Sequence, residues 1–325
     1  MKRVLISACL AGAIALIASM PISGQSKTPP LVITAFNGGP AIAYTTPKTP
    51  WGDPDLQGVW SSDDATMPMS RPANAAGRLY LTDEEYAARV KQIENGVKNA
   101  ENAIGSFRGD FARRAFRQTS LIVDPPDGRI PALTDDARER RAAADANRRR
   151  PFEGPESLNH VERCLTYGVP RLSGTNTGAG PLGYYQIVQT PTYIVLFLEA
   201  IHEARVISLD GRPHLPPTVR QWQGDSRGRW EGNSLVVDTT NFSASNNFMG
   251  SSDHLHLVER LTRVAPDRID YAITIDDPTT WTKPWTAVIR LKQKTERLFE
   301  YACHEGNYEI VRGMLAAARA IEAGR

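Results

Sequence analysis

From Tyr184 onward the chain alternates short apolar runs with turn residues, and this pattern restricts its fold more than anything else in the sequence. Eight segments read as strands: Tyr184 to Gln189, Tyr193 to Leu198, Ala204 to Leu209, Leu235 to Thr239, His254 to Val264, Ile269 to Ile275, Trp285 to Leu291, and Leu298 to Cys303. Turn signals separate them, among them Asp210-Gly-Arg-Pro213, Glu231-Gly-Asn233, Ala265-Pro-Asp267 and Asp276-Asp-Pro278. Short strands at this spacing predict a mainly β protein, an antiparallel barrel or sandwich. A C-terminal helix from Tyr308 to Ala323 docks on it or caps it.

The N-terminal half has a different texture. Gly52-Asp-Pro-Asp-Leu-Gln-Gly58-Val-Trp60 is a turn cluster leading into a short strand. Leu81-Thr-Asp-Glu-Glu85 supplies an N-cap and first-turn acids to a helix ending at about Glu94. Thr134-Asp-Asp-Ala opens a second helix ending at about Arg149, with basic residues at the end that the helix dipole makes negative. Between them, Gln118 to Val123 reads as a strand and Asp124-Pro-Pro-Asp-Gly128 as its turn. Residues 51–325 are therefore expected to form a single β-rich domain with a helical insertion at about 81–150.

Upstream, Lys2 and Arg3, the apolar run Val4 to Ala18 and the exit Pro21-Ile-Ser-Gly24 have the layout of a signal peptide, residues 1–24. Residues 25–50, rich in Pro, Thr, Gly and Ala, read as a flexible linker. A periplasmic or secreted protein is expected, with no transmembrane segment after signal removal. Losing Lys2 and Arg3 leaves 36 basic residues against 36 acidic ones. A neutral chain without a basic stripe is not built to bind nucleic acid. Export also leaves two cysteines, Cys164 and Cys303, in a compartment that permits disulfides, and they are expected to pair.

Four long stretches resemble an uncharacterised family of exported bacterial proteins. They are Pro54-Asp-Leu-Gln-Gly-Val-Trp60, Thr119-Ser-Leu-Ile-Val-Asp-Pro-Pro-Asp-Gly-Arg-Ile-Pro131, Gly224-Asp-Ser-Arg-Gly-Arg-Trp-Glu-Gly232 and Tyr301-Ala-Cys-His-Glu-Gly-Asn-Tyr308. The resemblance implies kinship and no activity. Gly58-Val59-Trp60 is similar to the Gly-x-Trp that opens the first strand of lipocalin-like barrels, which implies a strand meander around a small apolar ligand. The chain departs from that pattern by placing its helical stretch between Trp60 and the strand-rich half.

Four constellations could carry chemistry. Gly224-Asp-Ser226-Arg-Gly228 matches Gly-x-Ser-x-Gly, but Pro216, Pro217 and Trp222 precede it and a hairpin follows, whereas a nucleophile elbow needs strand, turn and helix. His254 and His256, two apart on a strand, face the same side and with His304 could hold a divalent metal. Glu259 shares a strand face with Leu255, Leu257 and Leu261, so it either titrates near neutrality as an acid or base or pairs with an arginine such as Arg205 or Arg263. Cys303-His304-Glu305 ends a predicted strand, where a disulfide would fix His304 and Glu305 at the rim.

Trp281 and Trp285 flank a turn and either pack in the core or offer a stacking surface. The expected catalytic set is His202, His214, His256, Glu259, His304 and Glu305, with Trp281, Trp285 and Arg205 as ligand contacts. These residues suit lyase, isomerase or hydrolase chemistry on a small organic molecule, or binding of such a molecule without catalysis. No phosphate loop or dinucleotide glycine motif is present, so no cofactor other than a divalent metal is expected.

Overall fold

The computed structural model describes residues 44–62, 67–101, 115–148, 157–170, 172, 184–245 and 248–324. The expected signal peptide and the linker up to residue 43 lie outside the described residues. Residues 44–50 of that linker are packed: Thr46 and Thr49 are buried, and Thr46 Oγ1 donates to the Arg263 carbonyl at 3.2 Å.

The strands are β1 (Gly58–Ser61), β2 (Ile122–Asp124), β3 (Tyr184–Gln189), β4 (Tyr193–Leu198), β5 (Glu203–Ser208), β6 (Asp225–Glu231), β7 (Ser234–Thr240), β8 (His256–Ala265), β9 (Arg268–Asp276) and β10 (Trp285–Lys294). The order β1-β3-β4-β5-β6-β7-β8-β9-β10, with β1 also pairing β10, closes a nine-stranded barrel, and β2 adds to the start of β10. The protein is thus mainly β, and the barrel alternative is the one realised. Closure pairs each of the nine strands with a neighbour on both sides, and β2 is left at the outer end of the sheet.

An odd ring cannot alternate direction throughout, so one neighbouring pair must run parallel. That pair is β5–β6, held by a single bridge between Ser208 and Arg227, while every other seam is antiparallel. Residues 209–224 make the return crossing over the outside. Inside, alternate residues of each strand form one core: Trp60, Ile187, Leu196, Ile207, Leu235, Val237, Leu257, Leu261, Ile273 and Ile289 are all buried.

The helices are α1 (Asp83–Glu101), α2 (Asp135–Arg148) and α3 (Cys303–Glu322). Thr82 and Glu85 cap α1 reciprocally: the Glu85 amide donates to Thr82 Oγ1 at 3.3 Å and the Thr82 amide to Glu85 Oε2 at 2.9 Å. α1 runs seven residues past the expected end at Glu94, through Gly96.

Two expectations fail. Leu298 to Cys303 is not a strand, because β1 already occupies the place beside the end of β10, and α3 starts at Cys303. β6 was not among the expected strands. Its inward residues are Ser226, Gly228 and Trp230, and of these only Trp230 carries the apolar side chain that marks a strand. At Gly228 a Cβ would stand 2.7 Å from Ile207 Cγ2 and Leu209 Cδ2, so glycine allows the close approach of the β5–β6 seam.

Candidate functional site

Arg205 points inward from β5 and crosses the weakly paired seam. Its Nε donates to Ser226 Oγ at 2.9 Å, and its Nη2 to Thr239 Oγ1 at 2.6 Å. Nη1 reaches Glu259 Oε1 at 2.9 Å, Nη2 bonds Glu259 Oε2, and the Tyr271 hydroxyl donates to Oε1 of the same carboxylate. Side chains of β5, β6, β7, β8 and β9 are thus joined across the interior. Glu259 is 0% exposed and Arg205 6%. Burial works against the guanidinium charge, but Glu259 more than offsets it, and the Arg205 pKa is raised. Burial and Glu259 together push the Tyr271 phenol well above its ordinary value.

Of the two alternatives for Glu259, the pairing with an arginine is the one present, and the partner is Arg205. The Gly-x-Ser-x-Gly segment is explained by the same network. Ser226 sits mid-strand opposite Thr239 and receives the Arg205 bond, while Gly224 has a left-handed φ of +69°.

Beside this network, at the barrel end where β4 stops and β5 starts, lies a cavity of about 30 Å³. Val169, Leu196 and Leu198 form its apolar walls, and Glu203, Arg205, Gln223 and Tyr271 bring polar groups to it. The Glu203 carboxylate is oriented by the Thr166 hydroxyl and by the Tyr167 amide at 3.1 Å. His160 is near enough to feel Glu203, but burial lowers its pKa, so it is neutral at neutral pH.

A second cluster lies on the outer face. His214, in the crossing segment, has Nδ1 2.9 Å from Asp225 Oδ2 and Nε2 3.0 Å from Asp238 Oδ1. Two carboxylates on one imidazole require a proton on each nitrogen, so this ring is an imidazolium. His256 Nε2 stands 3.1 Å from both Asp238 oxygens, and Asp238 is the largest influence raising both histidines. Burial acts to raise Asp238 itself, but the two histidines overcome it and hold the carboxyl well below its usual range.

The remaining expected residues are dispersed. His202 is exposed in the turn between β4 and β5, and His254 is exposed with Nε2 3.9 Å from Asp253. His304 and Glu305 are exposed on the first turn of α3, beside the Cys164–Cys303 disulfide, whose Cα atoms are 5.9 Å apart. The strand that was to hold His304 at a rim does not exist.

His254, His256 and His304 do not form a ligand set: among the described residues no three His, Cys, Asp or Glu side chains are placed to share a metal ion. Trp281 and Trp285 are 2% and 0% exposed and pack edge to face at 5.6 Å, so they are core residues with no face left for a ligand. Sequence reasoning missed Glu203, Asp238 and Tyr271, and singled out Ser226 for a role as nucleophile that its place in β6 does not fit. The signal for Tyr271 was its place in the alternation of β9, which puts its hydroxyl among the inward side chains with Glu259.

No family model and no curated protein matches the chain. Among solved structures it is similar to the crystal structure of a mutant of the fluorescent protein UnaG. The identity is 13%, the TM-score 0.23, and the match covers 35% of this chain and 72% of that one. Among the described residues no helix is long and apolar enough to cross a membrane.

Proposed function

We propose that this chain is an exported β-barrel that binds a small polar organic molecule at the mouth lined by Val169, Leu196, Leu198, Glu203, Arg205, Gln223 and Tyr271. The observation that carries this reading is the composition of the cavity: apolar walls meet a few fixed polar groups at one end of the barrel. Sites of this kind bind through buried apolar area and orient the ligand through those few polar groups. Export is supported by the signal-like residues 1–24 and by a disulfide of the kind that persists in oxidising compartments. Acid/base catalysis has less support, because the expected groups fall in four separate places and one of them, Glu259, is committed to Arg205 and Tyr271.

The test is an amide NMR titration of the uniformly labelled protein with a panel of compact alcohols, amides and amines. Saturable shifts confined to the amides of Gly168, Val169, Glu203 and Tyr271 are expected, and their loss in Leu198→Trp, whose indole would fill the cavity. Shifts scattered over the surface, or undiminished in Leu198→Trp, would overturn the reading.

A further inference from the structure

We infer that the barrel mouth selects a compact organic cation, a primary or methylated ammonium compound, over an anion of the same shape. The inference rests on the binding reading above and adds the charge of the ligand.

Two charged side chains reach the cavity, Glu203 and Arg205, and they are not equally engaged. Four of the five guanidinium N–H groups of Arg205 are already bonded, to Ser226, Thr239 and both oxygens of Glu259. Its positive charge is matched by a carboxylate directly behind it, so an incoming anion would meet a neutral pair. Among the described residues Glu203 is held by neutral donors, the Thr166 hydroxyl and the Tyr167 amide.

Among the described residues no lysine, arginine or charged histidine forms an ion pair with Glu203, and the nearby His160 ring is neutral. Among the described residues Arg205, Glu259 and Glu203 together therefore leave one negative charge without a positive partner at a half-buried site. Water is partly excluded there, so the charge acts on a ligand more strongly than it would at the open surface.

The rest of the lining suits the same ligand. Tyr185 and Tyr271 are among the lining residues, and aromatic side chains suit a cation. Leu196, Leu198 and Val169 accept a short alkyl body, and Gln223 adds a neutral side chain to the lining. A cavity of about 30 Å³ admits a head group of a few heavy atoms, with any longer chain left toward the mouth.

Three probes of matched shape separate charge from fit: n-propylammonium, 1-propanol and propionate, each titrated at pH 7 and followed at the same amides. The ammonium compound is expected to bind at least about tenfold more tightly than the alcohol, with propionate the weakest and the ammonium affinity falling as salt is added. In Glu203→Gln the ammonium and alcohol affinities should converge to within about twofold while alcohol binding persists. Propionate binding as tightly as n-propylammonium, or an ammonium preference that survives Glu203→Gln, overturns the charge assignment and leaves the pocket standing. Failure of all three probes to bind overturns the pocket and this inference with it. The wild-type ranking decides the question even if Glu203→Gln does not fold.

Discussion

Arg205 and Glu259 form a two-pronged ion pair between β5 and β8, strands separated by the whole width of β6 and β7. The pair spans the barrel, and it does so at the one seam where backbone pairing is reduced to a single bridge. Side chains there take over a task that hydrogen-bonded ladders perform elsewhere.

Breaking this pair from one side strands a buried charge. Arg205→Met and Glu259→Leu, each alone, are expected to lower the unfolding free energy by about 3 to 5 kcal/mol. The double variant should lose less than either, because neither charge is then left uncompensated. Urea unfolding of the three variants checks this; single losses below about 1 kcal/mol would show that water or a neighbour replaces the missing partner.

The His214–Asp238–His256 cluster gives stability a definite pH slope. Asp238 raises both histidines, so each binds its proton more tightly in the folded state. Their contribution is complete below the unfolded histidine value of about 6.5 and is lost as pH rises through the folded values. Asp238 has the opposite dependence, but it is held so low that its loss falls at strongly acid pH. Because the rings are partly exposed, the decline is expected to be about 1 kcal/mol or less between about pH 6 and pH 9. Urea midpoints across that range should fall in the wild type and flatten in Asp238→Asn.

Reducing the Cys164–Cys303 bridge enlarges the unfolded ensemble by opening a loop with a sequence separation of 139. The double variant Cys164→Ser/Cys303→Ser is expected to lose about 2 to 4 kcal/mol, read as a lower thermal midpoint that reductant no longer affects. A wild-type midpoint indifferent to reductant would count against the bridge as a source of stability.

Gly224→Ala tests the turn into β6. The residue has φ +69°, and an added Cβ would lie 2.6 Å from the backbone oxygen of Thr240, which cannot swing aside like a side-chain tip. A loss of about 1 to 3 kcal/mol is expected from strain of this kind. Gly232→Ala, also at positive φ but with open space around its Cβ, is the control and should lose only the smaller backbone share.

Much of the barrel was legible because side-chain alternation is a local property: β3 and β4 match their predicted bounds, and β7 to β10 differ only at their ends. β6 was not, because its inward residues are chosen by what crosses the seam. Ser226 receives Arg205 and Gly228 makes room for Ile207, so Trp230 alone is left to mark the inward face and the apolar alternation that announces a strand is broken. Glu259 was legible as a buried carboxylate from its place in a leucine row. Its partner was one of two named arginines, and only the register of five strands singles out Arg205. Asp238 escaped notice because its role comes from a histidine delivered by the crossing segment and another from the next strand. The mouth cavity was invisible for the same reason: its walls come from strands and a loop that sequence order keeps apart.

Val59 pairs with Lys294 across the closing seam, and the intervening chain holds all three remaining classes of element: short strands, helices and the long crossing. Because ribosomes deliver a chain N-terminus first, β1 is made before any strand that can flank it and waits with both edges bare until β3 and then β10 are complete. Closure is thus among the latest contacts available to the growing chain and among the most distant in sequence, which makes it a slow step. Throughout that interval the exposed strand edges are open to other molecules, so the window for misassembly is set by how quickly β10 arrives rather than by the stability of the finished barrel.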